Sequence, residues 1–383
     1  MKDIWSGEPK FDIKHQVMVV GPVGAVDQMV ATFLPGGSLL LDQPLGLTGN
    51  AAVRLYGVLP ETSTAVDVAL AINTAAITPT EIPVYAEPNT PFGGSFAGDP
   101  WSVGGNPDGA VQPIDGEARD YWGQWAFTGA QGIRPGHSPI QTVTGGQGVN
   151  VVIFDTSPFG HSNSVVPYSA HLEQFKQWFE GVAHDDPAHP TGTIIDDMSM
   201  CVYDPGNITS KSPADQPDYS SHGLFVGGLV FGTAPEVNLH LVRVLNDKAQ
   251  GTQAMLVSGL LGMLNSQNLG ITPTVVNLSL GLTMLSATWT LEDIGITSLT
   301  ISHLKTVADA VIVPGPSGSA VPIPSGPFLP LALALSQLRQ EGVVIVAAAG
   351  NGSDAAVAQP ALFPASYPDA IAAQGSAADG QRS

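Results

Sequence analysis

A chain of 383 residues with 43% hydrophobic and 12% charged side chains can hold two ordinary domains with sizeable cores. Its 44 glycines and 32 prolines describe a loop-rich globular protein, neither disordered nor fibrous. Thirty-three acidic side chains against 13 lysines and arginines leave a net charge of −20, which repels phosphate backbones and anionic lipid, so neither nucleic acid nor membrane is an expected partner.

The opening residues, MKDIWSGEPKFDIKHQ, lack an apolar core of signal-peptide length. No stretch approaches the roughly 18 uninterrupted apolar residues of a membrane span, so the expectation is a soluble, cytoplasmic chain. Cys201 is the single cysteine and reads as a small buried hydrophobe. Asn207-Ile208-Thr209 matches a glycosylation sequon but, without an export signal, is read as a chance match.

From residue 14 the chain alternates strand (HQVMVVG), helix (AVDQMVATF), strand (AAVRLYGVL), helix (TAVDVALAINTA) and strand (IPVYAEP). That order predicts a small α+β unit over 12–92, with helices on one face of a sheet. Gly21-Pro22-Val23-Gly24 lacks the third glycine and the lysine of a phosphate loop and reads as a plain turn. Residues 93–120 carry Pro, Gly, Asn and Asp without periodicity and read as a linker open to proteolysis.

A second unit is expected over 121–383. The run VNVVIFDTS (149–157) is β-branched, follows Gly145, Gly146 and Gly148, and stops at Asp155. It reads as a strand buried on both faces, as in a parallel sheet, and open α/β sheets build their sites at such strand ends. His184, Asp185, Asp186 and His189 sit in a polar loop without metal-ligand spacing, and no metal is assigned to them. SHGLFVGGLVFG has apolar residues at helical spacing with His222 at its start. Strand NLHLVRVL (238–245), helix 251–267, strand PTVVNLSLG (273–281), an insertion over 283–329, helix PLALALSQLRQ, strand GVVIVAAAGNGS (342–353) and a start at DAIAAQGSA complete the order. Parallel strands joined by right-handed crossovers then gather Asp155, His222, Ser279 and Asn351 on one edge.

Acyl transfer needs a buried carboxylate to hold an imidazole tautomer, the imidazole to take a nucleophile's proton, and an amide to meet the oxyanion. Asp155, His222 and Asn351 supply those three parts in that order. The segments GQGVNVVIFDTS, SHGLFVGG, VVNLSLG and VIVAAAGNG resemble the four successive blocks of the subtilisin-like serine proteases. The resemblance runs from about Tyr121 to Ser383. It implies an α/β, three-layer fold with a mostly parallel sheet, C-terminally incomplete, behind a ferredoxin-like prodomain.

By position, it makes Asp155 the triad acid, His222 the general base and Asn351 the oxyanion donor. It makes Ser279, Leu280 and Gly281 the backbone edge that pairs with an extended polypeptide substrate. Residues ahead of the linker resemble the family's prodomain and VYAEPNT its tail, which implies an intramolecular chaperone and inhibitor that fills the cleft until cut. No cofactor is required; structural calcium is compatible with the acidic excess, though no loop shows ligand spacing.

Three features depart from the pattern: Ser157 replaces a glycine, Leu224 and Phe225 replace the residues usual after His-Gly, and no Gly-Thr-Ser nucleophile block is found. The expected activity is therefore that of a serine endopeptidase precursor, lacking its nucleophile as written. A pseudoprotease that binds peptides on the 279–281 edge is the alternative. Acid-active relatives with Glu as base are disfavoured by His222 and Asn351.

Overall fold

The computed structural model describes residues 15–45, 50–58, 63–77, 84–94, 145–156, 194–196, 222–223, 226–227, 230, 234, 236–245, 250–265, 272–281, 285–286, 289–290, 313–314, 320–321, 328–350 and 361–373. The first unit is β1 (Gln16–Pro22), α1 (Val23–Phe33), β2 (Ser38–Leu45), β3 (Ala51–Gly57), α2 (Ala65–Ile77) and β4 (Tyr85–Pro88). Its sheet has the order β2-β3-β1-β4, and every neighbouring pair in it is antiparallel. α2 starts at a reciprocal cap: the Asp67 backbone N–H donates to Thr64 Oγ1 and the Thr64 N–H to Asp67 Oδ2, both at 3.1 Å.

Strand alternation splits this sheet into two apolar faces. Val17, Val19, Val58, Val84 and Ala86 face one core, which also contains Val26 and Met29 of α1 and Ala65, Val68, Ala69 and Ile72 of α2. Met18, Val20, Leu41, Leu45, Val53, Leu55 and Tyr85 face the other way and share a core with the rest of the chain.

That rest is β5 (Pro91–Gly94), β6 (Asn150–Thr156), β7 (Ile194–Asp196), β8 (Asn238–Leu245), β9 (Gln250–Thr252), α3 (Gln253–Asn265), β10 (Thr274–Leu278) and β11 (Leu280–Gly281). Two short ladders follow, β12 (Leu285–Ser286) with β13 (Trp289–Thr290) and β14 (Val313–Pro314) with β15 (Ala320–Val321). α4 (Leu329–Gln340), β16 (Val344–Ala348) and β17 (Ile371–Ala373) close the order.

The large sheet runs β17-β16-β10-β6-β8-β7, and all its pairings are parallel. β6 lies inside it, and Val151, Val152, Ile153 and Phe154 are all buried, as a strand covered on both faces requires. α3 and α4 lie between this sheet and the first unit: Leu256, Leu260, Leu331 and Leu335 share a core with Phe154 and Ile345 as well as with Met18 and Leu55.

Three differences from the sequence reading have physical causes. β2 is an edge strand whose Pro44 and exposed Ser38 and Leu39 obscure its alternation. The stretch read as one helix from 251 begins as strand β9, because Gln250–Thr252 pairs with β5. Gly93 and Gly94, read as the start of a linker, are paired residues of β5. The remainder of that linker, Cys201, the 184–189 cluster and the helix read near His303 lie outside the described residues. Among the described residues no helix is long and apolar enough to cross a membrane.

Candidate active site

β6 delivers Asp155 to the carboxyl edge of the sheet in a fully buried position. Its Oδ1 lies 2.8 Å from His222 Nδ1 and accepts the Thr156 backbone N–H at 2.6 Å. Since a carboxylate only accepts, Nδ1 carries the ring proton and Nε2 keeps its lone pair for chemistry. Oδ2 is buried and has no hydrogen-bond partner among the described residues.

The backbone is helical at His222, Gly223, Val226, Gly227 and Val230, and two contacts seat this helix on the strand end. The Gly223 N–H donates to Thr156 Oγ1 at 2.9 Å, and a Cβ at 223 would lie 1.8 Å from the Thr156 carbonyl oxygen. Only glycine permits that approach. Farther along, Val226 and Gly227 are buried, and a Cβ on Gly227 would meet Leu239 at 3.0 Å. The spacing His-Gly-x-x-x-Gly thus presses one helix face onto β6 and β8 and points His222 at Asp155.

Burial of the imidazole opposes its protonation, but the Asp155 charge and hydrogen bond act against this and leave His222 above its ordinary value of 6.5. The contact holds the imidazole in one tautomer beside a carboxylate. Such a dyad takes a proton from an attacking group and is stabilised as imidazolium while it does so.

The register of β10 on β6 pairs Asn277 with Ile153, so Ser279 stands level with Asp155. Ser279 Oγ donates to Asn277 Oδ1 at 2.9 Å, which orients the residue that joins β10 to β11. Leu280 and Gly281 are buried and form β11, whose partner is the chain's own β5. β5 is the middle strand of a three-stranded antiparallel sheet, with Gly94 opposite Leu280, Gly93 opposite Gly281 and Phe92 opposite Gly251 of β9. Its direction carries the chain from Pro91 towards the level of Asp155. Asn351 lies outside the described residues; its neighbour Gly350, at φ +110°, packs with Gly281 around Leu362.

The sequence reading did not assign roles to the residues that hold β5 in place. The Asn89 side chain accepts the Ala254 N–H at 3.0 Å and donates to Gln16 Oε1 at 2.7 Å, while the Gln253 N–H donates to the Thr90 carbonyl at 2.8 Å. Glu87 Oε2 accepts the Phe328 N–H at 3.1 Å, and the Leu329 N–H also bonds this carboxylate. The first amides of α3 and α4, which a helix cannot satisfy itself, are thus met by one short segment of the first unit. An acid and an amide two residues apart in VYAEPNT were the available signal. Among the described residues no group of three or more His, Cys, Asp or Glu converges as metal ligands do.

A model of the Subtilase family matches residues 130–383. Subtilisin DY of Bacillus licheniformis is 29% identical over 164 residues, which are 40% of this chain and 43% of that protein. The chain therefore spans less than half the length of this curated relative. A solved structure described as a cold adapted subtilisin-like serine proteinase is 18% identical, with 63% of this chain and 60% of that one covered and a TM-score of 0.29.

Proposed function

Given that the chain belongs to the subtilase family, with an α/β parallel-sheet fold, we propose that it is part of a serine endopeptidase precursor that hydrolyses polypeptides through an Asp-His-Ser triad. The 2.8 Å contact between Asp155 and His222 carries this reading. Asp155 fixes the tautomer, and His222 Nε2 takes the proton of a serine hydroxyl as that oxygen attacks the peptide carbonyl. The carbonyl carbon becomes tetrahedral, and Asn351 together with backbone N–H groups stabilises its oxyanion. His222 then returns the proton to the leaving amine, and water hydrolyses the acyl-enzyme with His222 again as base. No serine of the 383 residues is assigned as nucleophile.

The α+β unit expected over 12–92 acts in this reading as the prodomain, and β5 (Pro91–Gly94), its tail strand, occupies the substrate position on the 279–281 edge. Support comes from β5, held as an extended strand between β9 and β11 and aimed at the dyad. A peptide-binding protein without turnover would use the same edge, so the strand alone does not separate the two readings. Turnover does. In a chain that carries a Gly-Thr-Ser block after these residues, His222→Ala should lower kcat/KM roughly a thousandfold or more. Unchanged turnover in that variant would overturn the triad assignment.

A further inference from the structure

Glu87 is a buried carboxylate at the junction between the first unit and helices α3 and α4, and the chemistry above makes no use of it. It lies on β4 opposite Met18 of β1, on the sheet face turned towards α3 and α4. Every group that meets it is neutral. Tyr85 Oη donates to Oε2 at 2.7 Å from its own strand, the Gln253 side-chain amide donates to Oε1 from α3, and the Phe328 and Leu329 N–H groups reach it from α4. The nearby titratable group from the turn before β17 is Tyr367, whose hydroxyl donates to the Phe328 carbonyl. No lysine, arginine or histidine among the described residues pairs with Glu87.

A carboxylate this deep without a cation favours the neutral acid, since dipoles replace only part of the water it loses. The pocket also has an acceptor for the added proton. Gln253 is fully buried, and its Oε1 has no hydrogen-bond partner among the described residues. Turning that amide over presents Oε1 to a protonated Glu87, because the two ends of an amide occupy the same space.

We propose that Glu87 is a proton-operated latch: docking of the first unit on α3 and α4 takes up a proton, so the unit grips the cleft in acid and loosens towards neutral pH. Burial, opposed by the Tyr85, Gln253 and backbone hydrogen bonds, raises this carboxyl to about 7 from its ordinary 4.5. Undocking returns the side chain to water and to the lower value. The raised acid favours the docked form fully below pH 4.5, and that advantage is lost as pH rises through about 7. The latch rests on the first unit being the cleft's occupant, but its test needs no turnover, so it stands or falls apart from the triad.

Hydrogen exchange on the full chain, corrected for the intrinsic pH dependence of exchange, measures opening of segments 85–94 and 328–335. Between pH 5 and 7.5 the opening equilibrium should rise roughly fiftyfold in the wild type. Glu87→Gln should stay docked with a change of less than about threefold. Tyr85→Phe removes a hydrogen bond that favours the ionised form, so it should shift the midpoint of the pH dependence upward. A flat wild-type profile would overturn the latch, as would a Glu87→Gln slope equal to the wild type. If Glu87→Gln does not fold, an unmoved midpoint in Tyr85→Phe overturns it instead.

Discussion

Gly223 sits so close to Thr156 that its N–H reaches the Thr156 hydroxyl, while a side chain at 223 would overlap the Thr156 carbonyl. This contact fixes how far the helix bearing His222 stands from the strand bearing Asp155. Gly223→Ala should therefore displace the helix and lengthen the 2.8 Å contact. Turnover in a chain that carries a Gly-Thr-Ser block after these residues should fall at least about a hundredfold, by loss of the positioned base. The His222 Nδ1 proton resonance, shifted by its carboxylate partner, should vanish in the same variant.

The pH profile of kcat/KM should report the imidazole. His222 must be neutral to accept a proton, and its titration lies above 6.5, so the rate should climb with pH through a midpoint above that value and then level off. Asp155→Asn removes the charge that raises His222, so the midpoint should move down while the plateau falls by roughly a thousandfold or more. A rate maximum near pH 3 to 4 would contradict a histidine base.

The tail strand predicts where a precursor is cut. Gly94 pairs with Leu280, one residue from Ser279, which stands level with Asp155. N-terminal sequencing of the processed protein should find a new end within about three residues after Gly94, by the strand rise of about 3.3 Å per residue. A new end before Pro91 would show that β5 is not held as a substrate.

Asn89→Ala should destabilise docking of the first unit by about 1–2 kcal/mol, since it leaves the Ala254 N–H at the start of α3 unsatisfied and removes the buried bond to Gln16. Denaturant unfolding of the full chain, with tryptophan fluorescence and circular dichroism compared, measures the loss. Thr74→Ala, on the exposed side of α2, is the control and should change stability by less than about 0.5 kcal/mol.

Five of the six strands of the large sheet were legible because they are apolar runs, most of them bordered by glycine, as in Val149 to Asp155 after Gly148, and parallel pairing follows from the helices between them; β7, three residues within a polar stretch, was not. The Asp155 and His222 positions were legible for a related reason: Asp155 is a polar residue where an apolar run stops, and His222 one where an apolar period begins. β2 was not, because an edge strand needs only one buried face and tolerates Pro44. Nor were the breaks at Thr252 and Ser279, which arise when another strand, β5, pairs across the edge. Glu87 and Asn89 were hidden for a third reason. Each looks like loop chemistry until a helix from far along the chain points its amides at it.

The placement of β5 between β9 and β11 also fixes how concentration enters the system. While the first unit and the rest of the chain share one polypeptide, their encounter is intramolecular and indifferent to dilution. A single cut just past Gly94 turns the same contact into a bimolecular equilibrium. From then on dilution favours an open cleft, and crowding of many copies keeps it closed.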